Sequence, residues 1–257
     1  MLLANTGRTY DDKYTMQRWW QLSEDAEQQS IPAYRLMIHG GDFVFDIGAN
    51  RGRKTWIFRQ LGAKVLAVDP LFRFGPEFVP EFYWKFGEDK MVIPYGMAIS
   101  DRRGKASISI QRHLPYLSSM DTSWMTTSAH QRFYNKVACV DRQVETTTLD
   151  ALINIYGIPK FIKVDVEGHE DTALKGLSTP VNGLNMEFHQ DWIPREAIAH
   201  VDSLAEYEWN YCLNNAGQFV APFWMDSKML LEWMVPRLTK EGPLSWGDLY
   251  ARRVDAD

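Results

Sequence analysis

The sequence predicts a doubly wound α/β domain, and three observations carry that prediction. Short apolar runs alternate with helical stretches along the chain, one such run ends in a glycine-bearing turn that opens a helix, and the next run closes on an acid. Alternation of this kind builds a largely parallel sheet covered on both faces. With 257 residues, 45% of them hydrophobic and 24% charged, the chain can bury one large core, so a single main domain is expected.

The elements follow in order. Residues from about Tyr14 to His39 read as helical, anchored by Trp19 and Trp20 and stopped by Gly40-Gly41. This gives a helical N-terminal extension over residues 1–41, ahead of a main domain over 42–257. Phe43 to Asp46 is a short buried strand. The turn Asp46-Ile47-Gly48-Ala49-Asn50-Arg51-Gly52 leads into a helix to Leu61, Gly62 ends it, and Lys64 to Val68 forms a second strand closing on Asp69. Further strands are expected at Met91 to Ile99, Ser107 to Gln111, Phe161 to Val166, Leu184 to Phe188, Trp209 to Leu213 and Leu249 to Arg252. Two stretches, near 71–90 and 112–137, read as insertions rich in aromatics: Phe72, Phe74, Phe78, Phe82, Tyr83, Trp84 and Phe86 in the first, and Tyr116, Trp124, His130, Phe133 and Tyr134 in the second. Most of these rings are expected to pack the insertions onto the domain, although loops at a sheet's carboxyl edge also clamp substrates.

Composition narrows the function. A formal net charge of -5 gives no broad attraction to nucleic-acid phosphates or anionic membranes, so general nucleic-acid binding is not expected. Cys139 and Cys212 lie far apart and outside any metal-ligand or redox spacing, which predicts two reduced thiols. The apolar stretch Met1 to Ala4 is too short for a signal peptide, and no run approaches the roughly 18 apolar residues of a membrane span. A cytoplasmic location is expected.

The glycine turn carries the first chemical signal. Glycines let backbone approach a ligand, Asn50 tolerates left-handed geometry, and a helix N-terminus receives a carboxylate or phosphate. Asp69, at the end of the next strand, is placed to accept hydrogen bonds from both ribose hydroxyls. Together they indicate a nucleotide cofactor. Dehydrogenases use the same strand, turn and acid, but the Gly-x-Gly-x-x-Gly spacing is absent here. Asp46 also precedes the first glycine, where a pyrophosphate would meet a negative charge; an acid there suits the cationic end of S-adenosylmethionine. The structural alternatives are Asp46 as a helix cap and Asp69 as the opener of a turn before Pro70.

The second signal is the strand Phe161 to Val166, which runs directly into Glu167-Gly168-His169-Glu170. Lys163, Asp165 and Glu167 share one strand face, and Asn185, Glu187 and His189 share one face of another strand. Charge on a buried strand requires a partner or a ligand, and a Lys163–Glu187 ion pair is one expectation. Asp165 and His169 sit nearer the carboxyl end, where open sheets place ligands, and are expected to manage an acceptor's proton.

These motifs resemble the FkbM-type methyltransferases. The resemblance rests on Phe45 to Gly52, on Ala98-Ile99-Ser100-Asp101 with Gly104, on Thr148-Leu149-Asp150, on Ile162 to Glu170, on Met186 to His189, and on a closing Gly247-Asp248-Leu249-Tyr250. It implies the Rossmann-like class I methyltransferase fold, a seven-stranded sheet with its last strand antiparallel. It further implies transfer of a methyl group from S-adenosylmethionine to a hydroxyl oxygen of a small-molecule or glycan acceptor, such as a sugar or a polyketide-type natural product. Asp46, Gly48, Asn50, Gly52, Asp69 and Asp101 would hold the cofactor. No metal is expected in the reaction, the donor set available to a divalent ion being Asp165, His169, Glu187 and His189. The competing classes are a nicotinamide-dependent oxidoreductase, a metal-dependent hydrolase and a catalytically silent cofactor-binding protein.

Overall fold

The computed structural model describes residues 13–111, 118–121, 139–214, 216–241 and 245–255. Ten strands occur among them: β1 Phe43–Ile47, β2 Lys64–Val68, β3 Val92–Tyr95, β4 Ala98–Ile99, β5 Gly104–Gln111, β6 Cys139–Thr147, β7 Phe161–Val164, β8 Gly183–His189, β9 Tyr207–Leu213 and β10 Trp246–Arg253. Seven form one sheet in the order β3-β2-β1-β7-β8-β10-β9. β10 runs antiparallel to both β8 and β9, while the other pairs are parallel. This is the arrangement that the resemblance implies. Its central strands are apolar nearly throughout because both faces are covered.

Alternate residues of these strands feed two separate cores. Phe45, Leu66, Ile162 and Met186 join one cluster with the helices α5 Leu149–Tyr156, α6 Glu170–Lys175, α7 Arg195–Leu204 and α8 Ser227–Glu241. Val44, Val65, Ala67 and Phe161 join the other, with α1 Lys13–Glu27, α2 Ile31–Arg35, α3 Arg53–Gln60 and α4 Pro80–Phe86. The helical stretch expected up to His39 is broken by a 3-10 turn at Gln28–Ser30, next to Pro32, which lacks the N–H that a continuing helix needs.

Several strand boundaries differ from the expectation. The run Met91 to Ile99 splits in two at Gly96 and Met97, where Gly96 packs so closely that a side chain would come within 2.7 Å of the Arg73 backbone nitrogen. β3 is an edge strand, which accommodates Pro94, whereas β4 leaves for a second, three-stranded sheet in the order β4-β6-β5. β6 has no counterpart in the expected elements, since Asp141, Arg142, Gln143 and Glu145 break its apolar pattern, with Val144, Thr146 and Thr147 buried. β7 stops at Val164, because Glu167 and Gly168 take positive φ (56° and 92°) and leave strand geometry.

The insertion near 71–90 serves packing. Phe72, Phe82 and Phe86 are buried, with the Phe72 and Phe82 centroids 4.3 Å apart and Trp20 against Phe86 at 5.5 Å. Of the second insertion only Ser118–Asp121 is described, so Tyr116, Trp124, His130, Phe133 and Tyr134 lie outside the described residues. Among the described residues no helix is long and apolar enough to cross a membrane.

Candidate active site

A cavity of about 840 Å³ lies over the carboxyl ends of β1, β2, β7 and β8 and the start of β10. The glycine turn forms one wall. Gly48 and Ala49 donate their N–H groups to the Val68 carbonyl at 2.9 and 3.0 Å, which ties the turn to the end of β2. Gly48 holds φ +73, and a Cβ there would sit 1.7 Å from the Asp165 carbonyl oxygen, so only glycine fits. Asn50 takes φ +50 and lines the cavity beside Gly48. Gly52 starts the following helix against Phe82 and Phe86 instead, and is not part of the cavity lining.

Asp46 lies beneath the turn and is 0% exposed. Its Oδ2 accepts from Thr55 Oγ1 at 2.5 Å, its Oδ1 is 3.6 Å from Lys163 Nζ, and burial raises its pKa. The acid expected to face a cofactor cation is thus already matched by a lysine. Lys163, 2% exposed, also contacts Asp165 Oδ2 at 3.0 Å and donates to the carbonyls of Gly48 (3.1 Å) and Ile47 (3.4 Å). Burial works against its charge, yet Asp165 and Asp46 raise its pKa above the ordinary lysine value. The expected Lys163–Glu187 pair does not form. β7 lies between β1 and β8, Asp46 is the register partner of Lys163, and Glu187 turns to His189 at 3.2 Å.

Asp69 is 7% exposed and lines the cavity, where burial raises its pKa to about 6. Its oxygens accept from the Leu71 N–H at 2.8 Å and the Asn50 N–H at 3.0 Å. The turn-opening alternative is therefore present in the structure, and it is compatible with a ligand, since each carboxylate oxygen keeps a second lone pair. Asp101 is exposed and lies outside the lining, with Ser100 Oγ at 3.2 Å from its Oδ1. The preceding Ala98 and Ile99 do line it.

The two candidate histidines separate. His169 precedes α6 and lies outside the cavity lining; burial pushes its pKa below the ordinary value despite Asp121 and Asp101 nearby. His189 lines the cavity. Burial alone would lower its pKa, but Glu187 beside it raises it. Asp165, Glu167 and Glu187 converge there, each offering an oxygen within 4.8 Å of the others. Burial raises the pKa of Glu167 and of Glu187, and the charge of Glu187 adds to the first while that of Asp165 adds to the second.

Other lining residues have no forerunner in the sequence reading. α1 supplies Trp19, Leu22, Ser23 and Glu27, the last bridging Arg53 and Lys54 at 2.7 Å each. Gln190, Asp191, Ser245 and Trp246, around the end of β8 and the start of β10, line the cavity as well. Trp19 was legible only as a core anchor, and no local motif marks the others.

Residues 46–217 match the Methyltransferase FkbM domain family. Among solved structures the chain is similar to an FkbM methyltransferase of Methylobacillus flagellatus KT, at 13% identity and TM-score 0.45 over 82% of this chain and 43% of that one. It therefore spans less than half the length of that protein. It is also similar to precorrin-6y C5,15-methyltransferase of Geobacter metallireducens GS-15, at 7% identity and TM-score 0.44 over 88% of each chain. An rRNA methylase of Streptococcus thermophilus aligns at 9% identity and TM-score 0.41, over 89% of this chain and 95% of that one. No curated protein matches the chain in sequence.

Proposed function

Because the chain belongs to the FkbM methyltransferase domain family, we propose that it moves a methyl group from S-adenosylmethionine to a hydroxyl oxygen of a sugar, glycan or natural product. The observation that carries this reading is the single cavity in which the Gly48–Asn50 turn and Asp69 face Asp165, Glu187 and His189. The chain's own residues suit such a cofactor. Glycine at Gly48 lets the turn pack directly on the Asp165 carbonyl, which a side chain would strike, and so shapes the cavity wall, while Asp69 retains acceptor capacity for ribose hydroxyls. When bound, the cofactor supplies an electrophilic methyl on a sulfonium.

In the proposed reaction the methyl–sulfur bond breaks as the oxygen–methyl bond forms, and the hydroxyl proton passes to His189. Glu187, 3.2 Å away, stabilises the imidazolium that results. This moves the base from His169, which lies outside the cavity lining, to the histidine within it. Holding acceptor and donor in line supplies much of the acceleration, on the order of 7–11 kcal/mol in favourable cases. Trp246 offers an aromatic face at the acceptor end, suited to a sugar ring or a flat apolar ring. The net charge of -5 favours a small acceptor over a nucleic acid.

The test is a thermal shift with S-adenosylhomocysteine, followed by incubation with labelled S-adenosylmethionine and a panel of sugars, glycans and polyketide alcohols. A ligand selective for the native state raises the melting temperature by mass action. A rise with S-adenosylhomocysteine and a labelled ether product are expected; a rise with NAD alone would overturn the reading.

A further inference from the structure

Asp248 is a buried acid of the cavity that takes no part in the methyl transfer described above. It lies on β10 directly across from Glu187 of β8, is 6% exposed and lines the cavity. Its Oδ1 accepts from Asn185 Nδ2 at 3.2 Å, and the same amide nitrogen donates to Tyr34 Oη at 3.1 Å. Asn185 and Tyr34 are wholly buried, so packing and two hydrogen bonds hold the amide, and the amide holds the carboxyl. Among the described residues nothing donates to Asp248 Oδ2.

The nearby cations are engaged elsewhere. Lys54 and Lys163 act on Asp248 at a distance, but Lys54 is paired with Glu27 at 2.7 Å, and Lys163 with Asp165 at 3.0 Å and Asp46 at 3.6 Å. Burial raises the Asp248 pKa to about 7, with Lys54 opposing the rise and Glu187 and Asp165 adding to it. A buried carboxyl with one oxygen lacking a donor is stabilised when a donor arrives, and the cavity is the side from which one can come.

On the methyl-transfer reading above, we propose that Asp248 determines acceptor specificity: its Oδ2 accepts a hydrogen bond from a second hydroxyl of the acceptor, so the site selects a ring alcohol bearing more than one hydroxyl. Trp246 stands two residues earlier on the same face of β10 and lines the cavity with it. An aromatic face beside a carboxylate suits the apolar face and the hydroxyl rim of such a ring. His189 and Glu187 lie on the neighbouring strand, so β8 serves the hydroxyl that reacts and β10 the hydroxyl that is recognised. A ring with a single hydroxyl fills the first role only and leaves the buried carboxyl without its donor.

The experiment uses the full chain at about pH 8, above the Asp248 pKa, with labelled S-adenosylmethionine and two kinds of probe, cyclohexanol and the isomeric cyclohexanediols. The wild-type chain should methylate its best diol with a kcat/KM about tenfold or more above that of cyclohexanol, the usual worth of a hydrogen bond to a charged group. Asp248→Asn should bring the two alcohols level. Asn185 would hold the new amide's oxygen as it now holds Oδ1, which turns the NH₂ toward the cavity and replaces an acceptor by a donor. The preference is a ratio of two alcohols on one protein sample, so a loss of folded chain cancels from it. Equal rates on both alcohols in the wild type, no methylation of either by a chain that binds S-adenosylhomocysteine, or a preference kept in Asp248→Asn overturns the role of Asp248. No thermal shift with S-adenosylhomocysteine would overturn the methyltransferase reading itself, and this role with it.

Discussion

The two ends of the cavity treat charge in opposite ways. Around the glycine turn the buried charges stand beside opposite charges or donors: Asp46 and Asp165 beside Lys163, Glu27 beside Arg53 and Lys54, and Asp69 beside two backbone amides. At the ends of β7 and β8, burial makes Glu167 and Glu187 harder to ionise, and the neighbouring charges of Glu187 and of Asp165, respectively, add to it. Matched charges fix the shape of a cradle, whereas unmatched charges retain free energy for a ligand to release. The same cluster of motifs thus holds a matched half and, on the proposed reading, a reactive half.

The sharpest break in this comparison comes from the two histidines. If the reactive half lies at β8, His189→Asn should lower kcat by ~10²–10⁴-fold with little change in KM, the usual span for removal of a general base. His169→Asn should change kcat only a few-fold, because that ring lies outside the cavity lining. Single-turnover methyl transfer measures both. The reverse ranking would return the base to His169 and leave His189 as a partner of Glu187 only.

Charge removal should also change sign between the two ends. Lys163→Met leaves Asp46 and Asp165 without their buried cation, so stability should fall by ~3–5 kcal/mol in urea unfolding. Asp46→Leu added to Lys163→Met should recover part of that loss. Glu187→Gln, by contrast, removes a carboxylate from among others and should leave the ligand-free protein as stable as before or more so. Equal losses for Lys163→Met and Glu187→Gln would erase the distinction between the halves.

Legibility in the sequence divides along a related line. The main sheet was readable because strands such as Phe43–Ile47 and Lys64–Val68 are covered on both faces and therefore apolar nearly throughout. β6 was not, since its half-exposed alternation through Asp141 to Glu145 carries no apolar run. The glycine turn is a local feature and could be read locally. The partner of Lys163 depends on strand order, which places Asp46 on one side and Asn185 on the other, and spacing along the chain holds no information about that choice. His169 misled for a third reason: the positive φ angles of Glu167 and Gly168 end the strand, so alternation no longer tells which way the next side chain points. The contribution of α1 to the cavity arises only from packing between distant segments.

The smallest effect concerns Asp69, where a structural role and the proposed ligand-binding role meet in one side chain. Its folded-state pKa of about 6 is above the unfolded value of about 3.9. The folded protein therefore binds the proton more tightly, and Asp69 makes the ligand-free protein lose stability as pH rises from about 4 to about 6. Cofactor binding should run the other way. Only the ionised carboxyl can accept from both ribose hydroxyls while holding the Leu71 and Asn50 amides, so affinity for S-adenosylhomocysteine should fall up to about tenfold per pH unit below 6. Calorimetric titration from pH 5 to 8 on wild type and Asp69→Asn reads the difference directly. The variant should bind more weakly at pH 8 and lose this component of the pH dependence. A variant with wild-type affinity and an unchanged slope would leave Asp69 as the cap of its own turn and no more.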